Sequence, residues 1–259
     1  MPLGTVYLVG AGPGAPDLLT VRAARLLARS DIVFNDALVH PDTIALAARA
    51  EIVAVGKRCG RQSTAQRFIC KRLVDATRRH DIVVRLKGGD PMLFGRAQEE
   101  IDALEAAGVP YEIVPGITAA LAAAAEIGTS LTQRGSVRSF TFATPRSAED
   151  EDASQWIASL NAADAGALYM GAREAPVLAD ALLAAGRSAA TPVAIVESAS
   201  LPESRVVHTT LANLASFGDG AFAGPTTLLI GPQFRARVRH RAVRDGAASA
   251  PERRSGIIP

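Results

Sequence analysis

Cysteine, net charge and long apolar runs are all scarce in this chain, and each scarcity removes a class of protein. The two cysteines among 259 residues, Cys59 and Cys70, are too few for a disulfide framework and lack metal-site spacing. A net charge of +2 does not mark the chain as a nucleic-acid binder. The longest apolar stretch, Ile117 to Leu131, is interrupted by Glu126 and is too short to span a bilayer. Val6 to Gly10 leads straight into a folded-looking unit, so no signal peptide is expected and the protein reads as soluble and cytoplasmic. No Walker lysine pattern, His-Glu metal helix or internal repeat is present, and no metal is expected.

What is present suits a folded α/β chain. The 48% hydrophobic content fills one large or two smaller cores. Through the first half, strand-like runs alternate with helical ones. Thr20 can cap a helix carrying Ala23, Leu26 and Leu27, and Ser63-x-x-Gln66 is a capping box before Ile69, Leu73 and Val74. Another helix turns Ile101 and Leu104 inward and ends at Gly108. Such alternation predicts a parallel sheet. Pro115-Gly116 then marks a boundary, followed by an alanine-rich helix over Thr118 to Ile127. Five further strand-like runs end at Thr226 to Ile230, and a hairpin pattern around Ser198 to Arg205 predicts a mixed sheet. A helix is expected from a Thr210 cap to Phe217. The expected division is an α/β domain over 1–115, a second α/β domain over 116–236 and a flexible tail over 237–259.

Three glycine turns carry the functional signal. Gly10-Ala11-Gly12-Pro13-Gly14 follows Val6 to Val9, Gly56-Lys57-Arg58-Cys59-Gly60-Arg61 follows Ile52 to Val55, and Leu86-Lys87-Gly88-Gly89-Asp90-Pro91 follows Ile82 to Arg85. Each puts bare backbone at the carboxyl end of a strand, where open α/β sheets bind ligands. Two of them also carry cations, which predicts a ligand with several negative charges. Taken alone, Gly10-x-Gly12-x-x-Ala15 fits a loose dinucleotide fingerprint, with Asp31 or Asp36 as the ribose partner of an NAD-dependent oxidoreductase. Pro13 and Pro16 weaken that fit by removing amide donors, and the third turn is superfluous to it.

Taken together, the motifs resemble a known family. Val9-Gly10-Ala11-Gly12-Pro13-Gly14 with Asp17-Leu18-Leu19-Thr20, Asp36-Ala37-Leu38-Val39 and Gly56-Lys57-Arg58 is similar to the tetrapyrrole methylases. Arg85 to Pro91, Phe94-Gly95-Arg96 and Val114 to Ala119 resemble in particular the uroporphyrinogen-III C-methyltransferases. The likeness runs from about Val6 to Ile230 with order and spacing kept. It implies two α/β domains with S-adenosylmethionine bound between them, S-adenosylhomocysteine as product, a tetrapyrrole substrate and usually a homodimer. The implied reaction makes precorrin-2 by two methylations; a divergent precorrin methyltransferase is the alternative within the family.

The resemblance also implies roles. Pro13, Gly88, Gly89, Asp90, Leu93, Thr118, Ala119, Met170 and Ala199 fall on cofactor positions. Asp36 falls on the proton acceptor and Lys57 on the proton donor, while Arg96, Glu99 and Arg134 match substrate or catalytic positions. Arg58, Arg61 and Arg146 add charge for substrate carboxylates. Each has a plainer reading: Asp36 as a helix cap after Val39, Glu99 as the helical partner of an arginine, Met170 as core. The chain departs from the family pattern at Ala97-Gln98, Gln133, Pro145-Arg146 and Ala199, mostly on the substrate side.

Overall fold

The computed structural model describes residues 2–56, 66–145, 155–218 and 220–236. The expected tail, Ser63 of the capping box, Cys59 and the acidic run 149–152 lie outside the described residues.

Five parallel strands form the first sheet: β1 (Thr5–Gly10), β2 (Ile32–Asn35), β3 (Glu51–Ala54), β4 (Ile82–Lys87) and β5 (Tyr111–Val114), in the order β3-β2-β4-β1-β5. The three inner strands, β2, β4 and β1, are buried on both faces, as a parallel sheet requires, while the edge strands β3 and β5 are partly exposed. Helix α1 (Val21–Leu27) packs on one face with Val9, Val33 and Leu86. Its Thr20 hydroxyl accepts the Ala23 N–H at 3.2 Å, so the predicted cap is present. A short helix α2 (Pro41–Ala45) follows β2, capped by His40 Nδ1 and not by Asp36. Helices α3 (Gln66–Ala76) and α4 (Ala97–Ala106) cover the opposite face, with Ile69, Leu73, Ile101 and Leu104 inward. Cys70 is half-buried on α3, and its thiol donates to the Glu99 carbonyl at 3.5 Å.

The second sheet is mixed, as the hairpin pattern predicts. It contains β6 (Phe140–Ala143), β7 (Ala165–Tyr169), β8 (Pro192–Glu197), β9 (Arg205–Thr210) and β10 (Thr226–Ile230), in the order β6-β7-β10-β8-β9. Only β6 and β7 pair in parallel. Helix α5 (Ala119–Ile127) packs on one face through Ala120, Ala123 and Ile127. On the other face lie α6 (Gln155–Ala162), with Trp156 packed against the core, and α7 (Ala175–Ala184). The helix expected after Thr210 is instead a 3-10 helix, Leu211–Ser216, and the Thr210 side chain makes no cap bond. Two buried leucines, Leu211 and Leu214, hold that segment by their side chains.

Strand order decides which turns become neighbours. Gly10 lies opposite Lys87, and Val9 opposite Val114, so the turns after β4, β1 and β5 stand side by side. There the backbones touch. A Cβ on Gly10 would lie 2.6 Å from Gly116 Cα and 2.7 Å from the Gly89 carbonyl oxygen. Gly88 differs, since a Cβ there would meet only Leu38 Cβ, at 3.5 Å. Gly116→Ala is therefore expected to cost about 1–3 kcal/mol through overpacking in urea unfolding, whereas Gly88→Ala stays within about 0.5 kcal/mol of wild type.

Candidate functional site

Along the carboxyl edge of the first sheet stand, in strand order, Gly56, Asp36, Gly88-Gly89, Gly10 to Gly14 and Pro115-Gly116. The first and third glycine turns are bonded to each other, Gly12 N to Gly89 O at 3.2 Å and Gly89 N to Gly12 O at 2.7 Å. Asp90 locks the same corner. One of its oxygens accepts from Met92 N at 2.8 Å and the other from Gly116 N at 2.9 Å. Its carboxylate thus ties the loop after β4 to the chain leaving β5.

Beneath this edge lies a set of buried charges. Arg85 and Lys87 point to the same face of β4 as Val83, and Glu100 of α4 meets both. Glu100 accepts from Arg85 Nε at 2.9 Å, Gln66 Nε2 at 3.0 Å and Lys87 Nζ at 2.9 Å. Arg85 Nη2 donates to Asp36 Oδ1 at 2.6 Å, while Nη1 reaches the Phe34 and Leu86 carbonyls at 3.3 Å. Burial alone would depress the Arg85 pKa, yet Asp36 and Glu100 outweigh it and the value is raised. For Lys87 the balance is reversed: burial, aided by Arg85, lowers its pKa despite Glu100. The lysine of the third turn is therefore an internal ion, and the expectation that it faces a ligand is corrected.

The carboxyl ends of β6, β7 and β8 share one edge of the second sheet, and this edge meets the first. Ala15 N donates to Ser200 Oγ at 3.0 Å, and a Cβ on Gly14 would stand 2.9 Å from Leu201 Cγ. The Thr118 and Tyr169 hydroxyls share a hydrogen bond of 2.7 Å, and Tyr169 also accepts from Ala120 N at 3.1 Å. Phe94 packs on Tyr169 with ring centroids 5.2 Å apart, and Phe142 follows at 6.3 Å. Among the described residues, the non-glycine positions with positive φ are Phe94, Arg96, Met170, Ser198 and Ser200. Four of them, Phe94, Met170, Ser198 and Ser200, lie on loops at this seam, while Arg96 caps α4, and local strain of that kind clusters at functional sites.

The geometry brings most of the sequence-derived candidates together. Pro13, Gly88, Gly89, Asp90 and Leu93 line the first-sheet edge, and Thr118 and Ala119 open α5 beside it. Met170 and Ala199 sit on the opposing edge; Met170 is 43% exposed with φ 59°, unlike a core residue. Asp36 stands next to Gly88 through the packing of Leu38, and its side chain is 31% exposed. Arg96 and Glu99 form an exposed ion pair at 2.6 Å. Arg134 occupies the exposed tip of a turn closed by Gln133 and Val137, and no ion pair joins it to the other candidates among the described residues. Lys57, Arg58, Arg61 and Arg146 lie outside the described residues. The oxidoreductase alternative loses its acids: Asp31 precedes β2, far from its carboxyl end, and accepts from Asp81 N and Ile82 N, while Asp36 holds Arg85.

Glu100, Tyr169 and Phe142 carry no role in the sequence reading. Glu100 was nonetheless detectable. It falls on the stripe of Ala97, Ile101 and Leu104, where a carboxylate needs buried cations, and Arg85 and Lys87 supply them at a spacing of two in a strand.

A parallel and a mixed sheet joined by their carboxyl edges at a glycine-lined seam form the architecture of an α/β methyltransferase. The sequence profile of the Tetrapyrrole (Corrin/Porphyrin) Methylases matches residues 5–215, and the chain belongs to that family. The siroheme synthase of Azotobacter vinelandii is 43% identical over 237 residues, 91% of this chain and 51% of that protein. The chain thus spans about half the length of the curated relatives it matches. The uroporphyrin III C-methyltransferase of Thermus thermophilus is 38% identical with a TM-score of 0.76, covering 88% of this chain and 97% of that one. The same protein has been solved in complex with S-adenosylhomocysteine. A cobalt precorrin-4 methyltransferase is 29% identical with a TM-score of 0.75, covering 88% and 94%.

Removing Glu100 strands two buried cations. Glu100→Ala is expected to lose about 3–5 kcal/mol of stability in urea unfolding, the usual cost of breaking a buried ion pair from one side.

Proposed function

We propose that the protein is an S-adenosylmethionine-dependent C-methyltransferase that converts uroporphyrinogen III to precorrin-2 by two methylations. The observation that carries the cofactor is the pair Gly88-Gly89. A Cβ at Gly88 would meet only Leu38 Cβ at 3.5 Å, so nothing within the chain requires that glycine; Gly89 holds a φ of 68° that itself favours glycine, and the space beside it is open as far as Thr118 Cα at 4.0 Å. Bare backbone there leaves room for a ligand to approach closely. Pro13, Leu93, Thr118, Ala119, Met170 and Ala199 complete the cradle, and Asp90 holds its shape from behind. When bound, S-adenosylmethionine supplies a methyl on a sulfonium for a nucleophilic pyrrole carbon. The protein's part is alignment and charge. Asp36 takes the proton lost from the methylated ring, and Lys57 serves as the donor. The Arg96–Glu99 pair orients Arg96 toward substrate carboxylates, with Arg58, Arg61, Arg134 and Arg146 as further cations. The wider reading is a two-domain enzyme divided at 115/116 that acts as a cytoplasmic homodimer. None of its helices among the described residues is long and apolar enough to cross a membrane.

One observation favours a second reading, a precorrin methyltransferase acting at another ring position. Pro145, a departure from the family pattern, packs against Gly171 beside Met170, 3.2 Å from the position a Cβ would take there. The departure therefore borders the seam.

Anaerobic incubation with uroporphyrinogen III and S-adenosylmethionine, followed by mass spectrometry, decides between these readings. Two added methyl groups are expected; unchanged substrate together with methylation of a precorrin would establish the second. Arg96→Ala is expected to lower kcat/KM by about 10- to 100-fold, the scale of losing a charge-assisted contact, with S-adenosylhomocysteine affinity unchanged. Wild-type turnover would remove Arg96 from the site.

A further inference from the structure

The charge set under the first sheet runs from the interior to the seam. Side-chain exposure rises from 0% at Glu100 to 3% at Arg85 and 31% at Asp36. Glu100 and Lys87 already form a neutral buried pair at 2.9 Å, so core neutrality does not call for Arg85 and Asp36. Buried ions are poor stabilisers compared with apolar side chains of similar volume, and a second buried cation therefore needs another reason. Arg85 is fixed at three points. Nε is held by Glu100, and Nη1 by one carbonyl of the neighbouring strand, Phe34 of β2, and one of its own strand, Leu86 of β4. The guanidinium is thereby bound to the sheet, and its remaining end meets Asp36 Oδ1 at 2.6 Å. Asp36 Oδ2 takes no hydrogen bond from any described residue. The Asp36 backbone is fixed as well, N–H to the Leu86 carbonyl at 3.1 Å, with Gly56 packed beneath it.

We propose that Arg85 is a positioning residue for proton removal: it holds one oxygen of Asp36 so that the other receives the proton, and it acts on the reaction through Asp36 alone. This role rests on the reading of Asp36 as proton acceptor. Arg85 is too deeply buried to touch a tetrapyrrole, and four of its five donors are spent on Glu100, Asp36 and two carbonyls. Substrate affinity is therefore outside its reach. The rigid planar fork, rather than charge alone, sets the geometry, so lysine is a poor substitute.

A double-mutant cycle with Arg85→Lys, Asp36→Asn and the double variant tests this, reading kcat and KM for uroporphyrinogen III and S-adenosylhomocysteine affinity by calorimetry. Asp36→Asn is expected to lower kcat by about 100-fold or more, the range of general base catalysis. Arg85→Lys should lower kcat by about 10-fold with KM unchanged, and the double variant should fall within about 2-fold of Asp36→Asn. S-adenosylhomocysteine affinity should match wild type throughout, which also reports that each variant is folded. A double variant whose losses multiply, a wild-type kcat in Arg85→Lys, or a loss of product affinity alongside kcat would make Arg85 a structural strut and overturn the proposal. Wild-type turnover in Asp36→Asn overturns the proton-acceptor reading and this role together. So does a wild-type protein that binds S-adenosylhomocysteine but leaves the tetrapyrrole unmethylated.

Discussion

The mutual contact of Gly10, Gly89 and Gly116 is the constraint from which the rest of the molecule follows. Three adjacent strands end there with no side chain between their backbones, so the chain leaving β5 crosses directly over the ends of β1 and β4. That crossing delivers Thr118 and the start of α5 to the seam. Tyr169 of the second sheet then binds the same helix start through Thr118 and Ala120. One close approach therefore aligns the two sheets edge to edge and leaves Gly88-Gly89 open beside Asp36. Asp90 reinforces the arrangement by accepting from both sides of the crossing.

The ions beneath the edge work in the opposite sense, because they are expensive to bury and gain little stability in return. Their position explains their presence. Glu100 satisfies two cations from within the core, and one of those cations extends the chain of contacts to the rim of the seam. Rigid packing of β2, β4 and α4 is thereby converted into a fixed carboxylate where a ligand would lie. The aromatic rings of Phe94, Tyr169 and Phe142 form the neighbouring wall, and the positive φ values of Phe94 and Met170 are the local strain that shapes it.

Local features of the chain were legible in advance. The Thr20 cap, the hairpin joining β8 and β9, and the inward face of α4 all follow from short-range pattern. The glycine turns marked the carboxyl edge of the first sheet for the same reason. Pairing between distant strands was not legible, since nothing local states that β4 inserts between β2 and β1. That insertion is what turns Lys87 into the core and brings Gly12 against Gly89. Glu100 carries a sequence signal in the apolar stripe it shares with Ile101 and Leu104, but which cations it meets depends on the sheet that brings Arg85 and Lys87 against it. The 3-10 segment after β9 likewise depends on where Leu211 and Leu214 find a core, which propensity does not encode.

The central claim is that the seam between the two carboxyl edges is the cofactor site. A crystal structure of the protein with S-adenosylhomocysteine tests it most directly. The account predicts the ligand against the backbone of Gly88-Gly89 and Thr118-Ala119, with Met170 and Ala199 on its far side and Asp36 within reach of its sulfur end. Ligand density elsewhere, with the seam left vacant, would contradict it.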